Sequence, residues 1–401
     1  MENFEMPQQP NKPEAIKPTV VEKEVAKPSL EIVNEQKEKE CRQHERDLVV
    51  ENPEFVGINF DHDYIVDARN FWSQERYLQY IQERDGQISD KIRSAVESGQ
   101  AQKILSEKRE KEVSKKSSFD KYLSSFEGKL QHVRVHPAGE LSPIAPSQAL
   151  EIKPDGTFDV VIAPEFVDQI KTLQEQTGDL TLVVQFYDHR RGKEKSSDVP
   201  ETQEQVEQYV AICEKIIESI GDGVQLEIGN ETNISRSTGA MFADKLQHAS
   251  HVNSTEYSTF FFEVAKKIKE KSPTVKLSIA GVACFDPTYL REVLTEVRRI
   301  QTEAGIDNAL VDTISFHPYR KKPDSGSIEV KNGNFTVSEL DYERQMEEMQ
   351  KIASEFGVRL NVGEINFPFS DPEQETKLEQ AVSLTVKKGI VSLIYPGVNV
   401  H

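Results

Sequence analysis

From residue 55 onward, short apolar runs alternate with segments whose apolar positions recur every three or four residues. The runs are FVGINF (55–60), HVRVHP (132–137), LTLVVQFY (180–187), VQLEIGN (224–230), VKLSIAGVA (275–283), VDTISFHPY (311–319), RLNVGEINF (359–367) and GIVSLIYPG (389–397). Several are continuous in Val, Ile and Leu, as strands buried on both faces should be. The segments between them read as amphipathic helices. In ETQEQVEQYVAICEKIIESIG, Val206, Val210, Cys213, Ile217 and Ile220 form one stripe, and Gly221 can close the helix. STEYSTFFFEVAKKIKEKSP and LDYERQMEEMQKIASEFG follow the same plan, with Pro273 and Gly357 as stop signals.

Eight strand-like runs with crossovers between them predict an α/β fold, a (β/α)8 TIM barrel spanning residues 51–401. A doubly wound sheet is the alternative, but no GxGxxG follows the first run and no P-loop occurs. About 70 residues separate the first two strands, an insertion that includes Trp72 and a charged helical stretch. LEIKPDGTFDVV, turning on Asp155-Gly156, and SIEVKNGNFTV, turning on Asn332-Gly333, read as hairpins inserted after strands two and six. No eighth helix follows the last strand, so the pattern calls for something N-terminal to cover that face, or for a truncated chain.

Residues 1–50 are rich in Pro, Glu, Lys and Gln and have few aromatics, which predicts a disordered tail with a charged helix allowed within 31–47. The charge of −19, from 49 Lys+Arg against 68 Asp+Glu, disfavours nucleic acid and anionic membrane as general partners. Three scattered cysteines, Cys41, Cys213 and Cys284, suggest neither a disulfide framework nor a zinc knuckle. The first residues carry no basic-then-apolar leader, and no run nears the roughly 20 apolar residues of a membrane span, so a soluble, cytoplasmic protein is expected.

In such barrels the chemistry sits at the C-terminal ends of the strands. Strand one ends Asn59-Phe60-Asp61-His62-Asp63; strand two carries Arg134 and His136; strand three ends at Asp188-His189. Strand four ends Asn230-Glu231, strand six His317-Pro318-Tyr319, strand seven Gly363-Glu364-Ile365-Asn366, and strand eight offers Tyr395. Strands four and seven lie across the mouth, so Glu231 and Glu364 should face each other. Paired carboxylates suit glycosidic bond cleavage, one as acid for the leaving oxygen and one ionised at the anomeric carbon.

Asn-Glu ending strand four, His-x-Tyr on strand six, Glu on strand seven and Arg on strand two resemble the clan A (cellulase-like superfamily) retaining glycoside hydrolases, over roughly residues 55–397. The resemblance implies that Glu231 is the acid/base and Glu364 the nucleophile. It implies further that Asn230 bonds the sugar 2-hydroxyl, that Arg134 and Tyr319 hold Glu364 ionised, and that His317 lines the subsite. Asn59, His136 and Tyr395 complete the expected substrate-binding set, an oligosaccharide or glycoside is the expected partner, and neither cofactor nor metal is expected. Two departures stand out: Gly229 and Thr232 flank Asn-Glu where the clan often has Trp and Pro, and no Trp marks strand eight.

Two other classes compete. A non-catalytic carbohydrate-binding barrel would keep the fold and cleft, and a metal-dependent barrel hydrolase could use His62, His136, Asp188 and His189, although no HxH follows strand one. Cys284 reads as a small buried residue, because no histidine partner is evident. Arg190, Arg191, Lys193, Lys195, Arg236, Arg320, Lys321 and Lys322 all follow strands three, four and six, a basic rim suited to an acidic glycan or to plain solvation.

Overall fold

The computed structural model describes residues 30–61, 119–126, 128–137, 142–186, 199–200, 202–233, 252–283, 285–320, 328–331, 334–337, 339–365 and 373–395. Its eight barrel strands are β1 (Val56–Asp61), β2 (His132–His136), β3 (Asp179–Val184), β4 (Val224–Ile228), β5 (Lys276–Ile279), β6 (Thr313–His317), β7 (Arg359–Ile365) and β8 (Val391–Ile394). All neighbours are parallel. The sheet closes on itself, because β7 pairs with β6 (Val362 opposite Phe316) while β8 pairs with β1 (Val56 opposite Ser392). Closure removes the doubly wound alternative, which would leave two open edges.

Helices α1 (Leu30–Glu51), α2 (Pro164–Gln176), α3 (Gln203–Ile220), α4 (Ser254–Lys271), α5 (Pro287–Glu303), α6 (Glu339–Phe356) and α7 (Gln374–Lys387) form the outer layer. α3 begins at a capping box between Thr202 and Gln205, and α4 at one between Asn253 and Glu256, each satisfying two backbone donors that a helix start leaves open. Val206, Val210, Cys213, Ile217 and Ile220 are all buried on α3, the face read from the sequence stripe. Both hairpins have their strand pairs, Leu150–Ile152 with Phe158–Val160 and Ile328–Lys331 with Asn334–Val337.

Of the tail expected over residues 1–50, residues 1–29 lie outside the described residues, while from Leu30 the chain is helical, where a charged helix was allowed within 31–47. α1 runs to Glu51, packs against α7 and β1, and buries Cys41, Glu45, Leu48 and Val49. His44 Nε2 donates to the Glu375 carbonyl at 3.2 Å, tying α1 to the start of α7. This helix therefore stands where a helix after β8 would stand, the N-terminal cover that the pattern called for. Average composition does not reveal that it docks, because a helix polar on average needs only one apolar stripe to do so.

A second difference concerns the barrel interior. The runs read as apolar on both faces, yet Arg134, Thr181, Gln225, Glu227, Thr313 and His317 are all buried. One layer of them is satisfied internally: Gln225 donates to Thr181 Oγ1 at 3.1 Å and accepts from Thr313 Oγ1 at 2.9 Å. The apolar faces of the strands pack outward on the helices, and the polar axis leads up to the C-terminal mouth. Among the described residues no helix is long and apolar enough to cross a membrane.

Candidate active site

Strand β4 ends in an unusual turn. Gly229 has φ +85 and Glu231 φ +47, the latter a left-handed conformation rare for a residue with a Cβ. The turn is fixed from several sides. Glu231 N donates to Gly281 O at 2.9 Å. Tyr257 Oη donates to Ile228 O and accepts from Ala280 N, each at 2.7 Å. Asn233 brackets Ala283 with two backbone bonds of 3.1 and 2.7 Å, and Thr232 meets Tyr289 Oη at 3.1 Å. Strained backbone held by this many partners is characteristic of functional positions.

Strand β5 is irregular at the same level. Ser278 lies opposite Thr313 but Val282, in the short strand Val282–Ala283 after β5, lies opposite Phe316, so four residues advance there against three on β6. This bulge turns the Gly281 peptide inward, as bulges beside active sites do. Its N–H donates to Glu227 Oε1 at 3.1 Å while its carbonyl receives Glu231.

Arg134 stands at the centre. Its Nη2 and Nε donate to the two oxygens of Glu227 at 2.7 and 3.2 Å, its Nη1 donates to Glu364 Oε1 at 2.9 Å, and Nη2 also reaches Asn230 Oδ1 at 2.8 Å. Asn59, with its amide turned so that the oxygen faces the guanidinium, accepts from Nη1 at 3.1 Å. Burial opposes the charge on Arg134, but Glu227 and Glu364 outweigh it and hold the group firmly protonated. Such a guanidinium is a permanent cation under Glu364.

His317 bridges the two mouth carboxylates, with Nδ1 2.8 Å from Glu231 Oε1 and 3.6 Å from Glu364 Oε2. Burial works against its protonation, yet Glu364 and Glu231 raise it above the ordinary imidazole range. Its ring lies between two glycines: a Cβ on Gly281 would come within 2.5 Å of Nε2, and one on Gly363 within 3.1 Å. His136 behaves oppositely. Burial first, then Arg134, lower it to about 4, and its Nε2 pairs with Gln185 at 3.2 Å.

Of the expected set, the structure thus brings Asn59, Arg134, His136, Asn230, Glu231, His317 and Glu364 into one cluster. Tyr395 closes β8, its N–H donating to Ile365 O at 3.1 Å. Tyr319 pairs through its backbone with Ile328; its side chain, with Trp72, His62, Asp188, His189, Cys284 and the side chains of the basic rim, lies outside the described residues. Sequence reasoning missed Glu227. The available signal was a charged residue inside an otherwise apolar strand run, two positions before Gly229. One donor atom each from Glu231, His317 and Glu364 lies within 4.8 Å of the others, so this trio could also hold a divalent cation.

No protein-family model matches the chain, and no curated protein matches it. Solved structures do. A GH family 44 endoglucanase from Clostridium thermocellum aligns at 9% identity and a TM-score of 0.40, covering 58% of this chain and 59% of that one. A monomeric beta-xylosidase from Caulobacter crescentus CB15 aligns at 12% identity and 0.49, covering 85% and 59%. An endo-1,4-beta-D-mannanase from Thermotoga petrophila RKU-1 aligns at 12% and 0.42, covering 85% and 87%. The chain thus spans less than two thirds of the first two. Its barrel assignment rests on strand order and register, independently of these overlaps.

Proposed function

We propose that the protein is a retaining glycoside hydrolase that works without metal or cofactor in the cytoplasm. The observation that carries this reading is the pairing of Glu231 and Glu364, one oxygen of each within 4.8 Å of the other across His317. Two carboxylates this close at the mouth support a retaining pair, in which the second carboxylate acts as nucleophile.

In this reading Glu364, which accepts from Arg134 at 2.9 Å, attacks the anomeric carbon as the bond to the leaving oxygen breaks. Glu231 gives that oxygen its proton. Water then attacks the glycosyl ester, returning its proton to Glu231 and freeing Glu364. The proton Glu231 must deliver is shared with His317 in the free site, through the 2.8 Å contact. Asn230, Asn59, His136, Tyr319 and Tyr395 are assigned to sugar binding, and the basic rim to an acidic or decorated glycan.

The test is hydrolysis of a panel of aryl glycosides, glucuronides included, by wild type and Glu364→Gln. Turnover that collapses by about a thousandfold or more in the variant is the expected result. Turnover that survives removes Glu364 as nucleophile; a cleft that binds oligosaccharide without cleaving it supports the binding-barrel alternative. The trio of donors around His317 favours a metal-dependent hydrolase as the second reading, which chelation addresses.

A further inference from the structure

Glu227 is buried to 2% exposure beneath the cleft and touches neither the mouth nor solvent. Buried carboxylates are costly unless paired and fully hydrogen-bonded, so this one needs a reason. Its partners supply it. Oε2 takes Arg134 Nε, and Oε1 takes both Arg134 Nη2 and the Gly281 N–H. Through the guanidinium it reaches Glu364, and through Gly281, whose N–H it binds and whose carbonyl receives the Glu231 N–H, it reaches the Glu231 backbone. One buried carboxylate is therefore two contacts from each member of the proposed dyad.

We propose that Glu227 is a positioning residue that fixes the spacing of Glu231 and Glu364 and keeps Arg134 from over-neutralising the nucleophile. The inference rests on the glycosidase reading and extends it. Bidentate capture orients the Arg134 fork, so that Nη1 is left for Glu364 and Nη2 for Asn230. Sharing the cation also matters: a carboxylate that alone neutralised Arg134 would be a poorer nucleophile and would stay ionised to lower pH. Among the described residues, the other charged or titratable groups around Glu364 are His136 on β2, His317 on β6 and Glu231 beyond β4; the Tyr209 and Tyr257 phenols of α3 and α4 also feel Glu227.

The experiment combines kinetics with imidazole NMR titration on the full chain. In Glu227→Gln, kcat should fall about tenfold or more with KM within about twofold, and the acid limb of kcat/KM should move down by about half a pH unit or more. The His317 titration should move down with it, because Arg134 is less compensated. Glu227→Asp, which keeps the charge but shortens the reach, should lower kcat and leave both titrations in place. A folded Glu227→Gln with wild-type kcat, limb and His317 titration overturns the inference; if that variant does not fold, an undiminished kcat in Glu227→Asp overturns it. A wild type that cleaves no glycoside defeats the glycosidase reading instead, and the His317 titration in Glu227→Gln then decides the role of Glu227 alone.

Discussion

His317 Nδ1 lies 2.8 Å from Glu231 Oε1, which makes the acid of the proposed dyad one half of a proton-sharing pair. His317 is raised above the ordinary imidazole range, after burial is overcome by Glu364 and Glu231. The pair therefore keeps a proton to higher pH than an isolated glutamate, whose ordinary value is about 4.3. In His317→Asn the basic limb of kcat/KM should move to lower pH. A limb that stays in place would separate His317 from the proton that Glu231 delivers.

The imidazole has its place only because Gly281 and Gly363 lack side chains. A Cβ at Gly281 falls within 2.5 Å of Nε2, closer than real contacts allow. Gly281→Ala should displace the ring, and also the peptide that joins Glu227 to Glu231. We expect kcat to fall by about tenfold or more while KM changes little, measured beside circular dichroism to establish folding. Wild-type turnover in this variant would mean that the wedge has no role in the chemistry.

His136 gives the fold a pH dependence of opposite sign to that of His317. Its folded value is depressed to about 4 from 6.5, so between those values the unfolded chain binds the proton and the folded one does not. Stability contributed by His136 is thus present above about 6.5 and lost as pH falls toward 4, on the order of 3 kcal/mol at most. Chemical denaturation from pH 7 to 4 should show a steeper decline in wild type than in His136→Gln. Parallel curves would remove His136 as the cause.

Metal removal distinguishes the two readings of the Glu231, His317 and Glu364 trio. A two-carboxylate mechanism needs no ion, so dialysis against EDTA should leave kcat unchanged within error. Added Zn²⁺ should compete with catalysis, since it would occupy the same donors. Activity lost to EDTA and restored by a divalent ion would transfer the site to the metal-dependent class.

The docking of α1 has its own consequence for stability. Leu48 and Val49 are buried under it, 6% and 0% exposed. Leu48→Ala should cost about 2–3 kcal/mol in urea unfolding, as for other core leucines. A loss below about 0.5 kcal/mol would make α1 a passive appendage.

Much of this was legible in the chain. Continuous Val/Ile/Leu runs set the eight strands, and their polar C-terminal residues placed Arg134, Asn230, Glu231, His317 and Glu364 together. Periodicity reports which positions prefer burial, but not what a buried polar residue pairs with. Glu227 was therefore passed over inside VQLEIGN, and the polar axis of Thr181, Gln225 and Thr313 was read as ordinary strand. The bulge at Gly281 was invisible for a related reason, because its meaning lies in partners from β4 and β6. α1 was masked by average composition, although Cys41, Leu48 and Val49 carry its apolar contact.

The helix that packs beside α7 precedes β1 in the chain instead of following β8. His44 meets Glu375 across 331 residues of sequence, and β1 pairs with β8 over a comparable span. Closing loops that long precedes any reward from the contacts, which slows folding. The seat of α1 is made by β1 and α7, so its apolar stripe stays uncovered until α7 has been made. The ring then closes only when β1 and β8 pair.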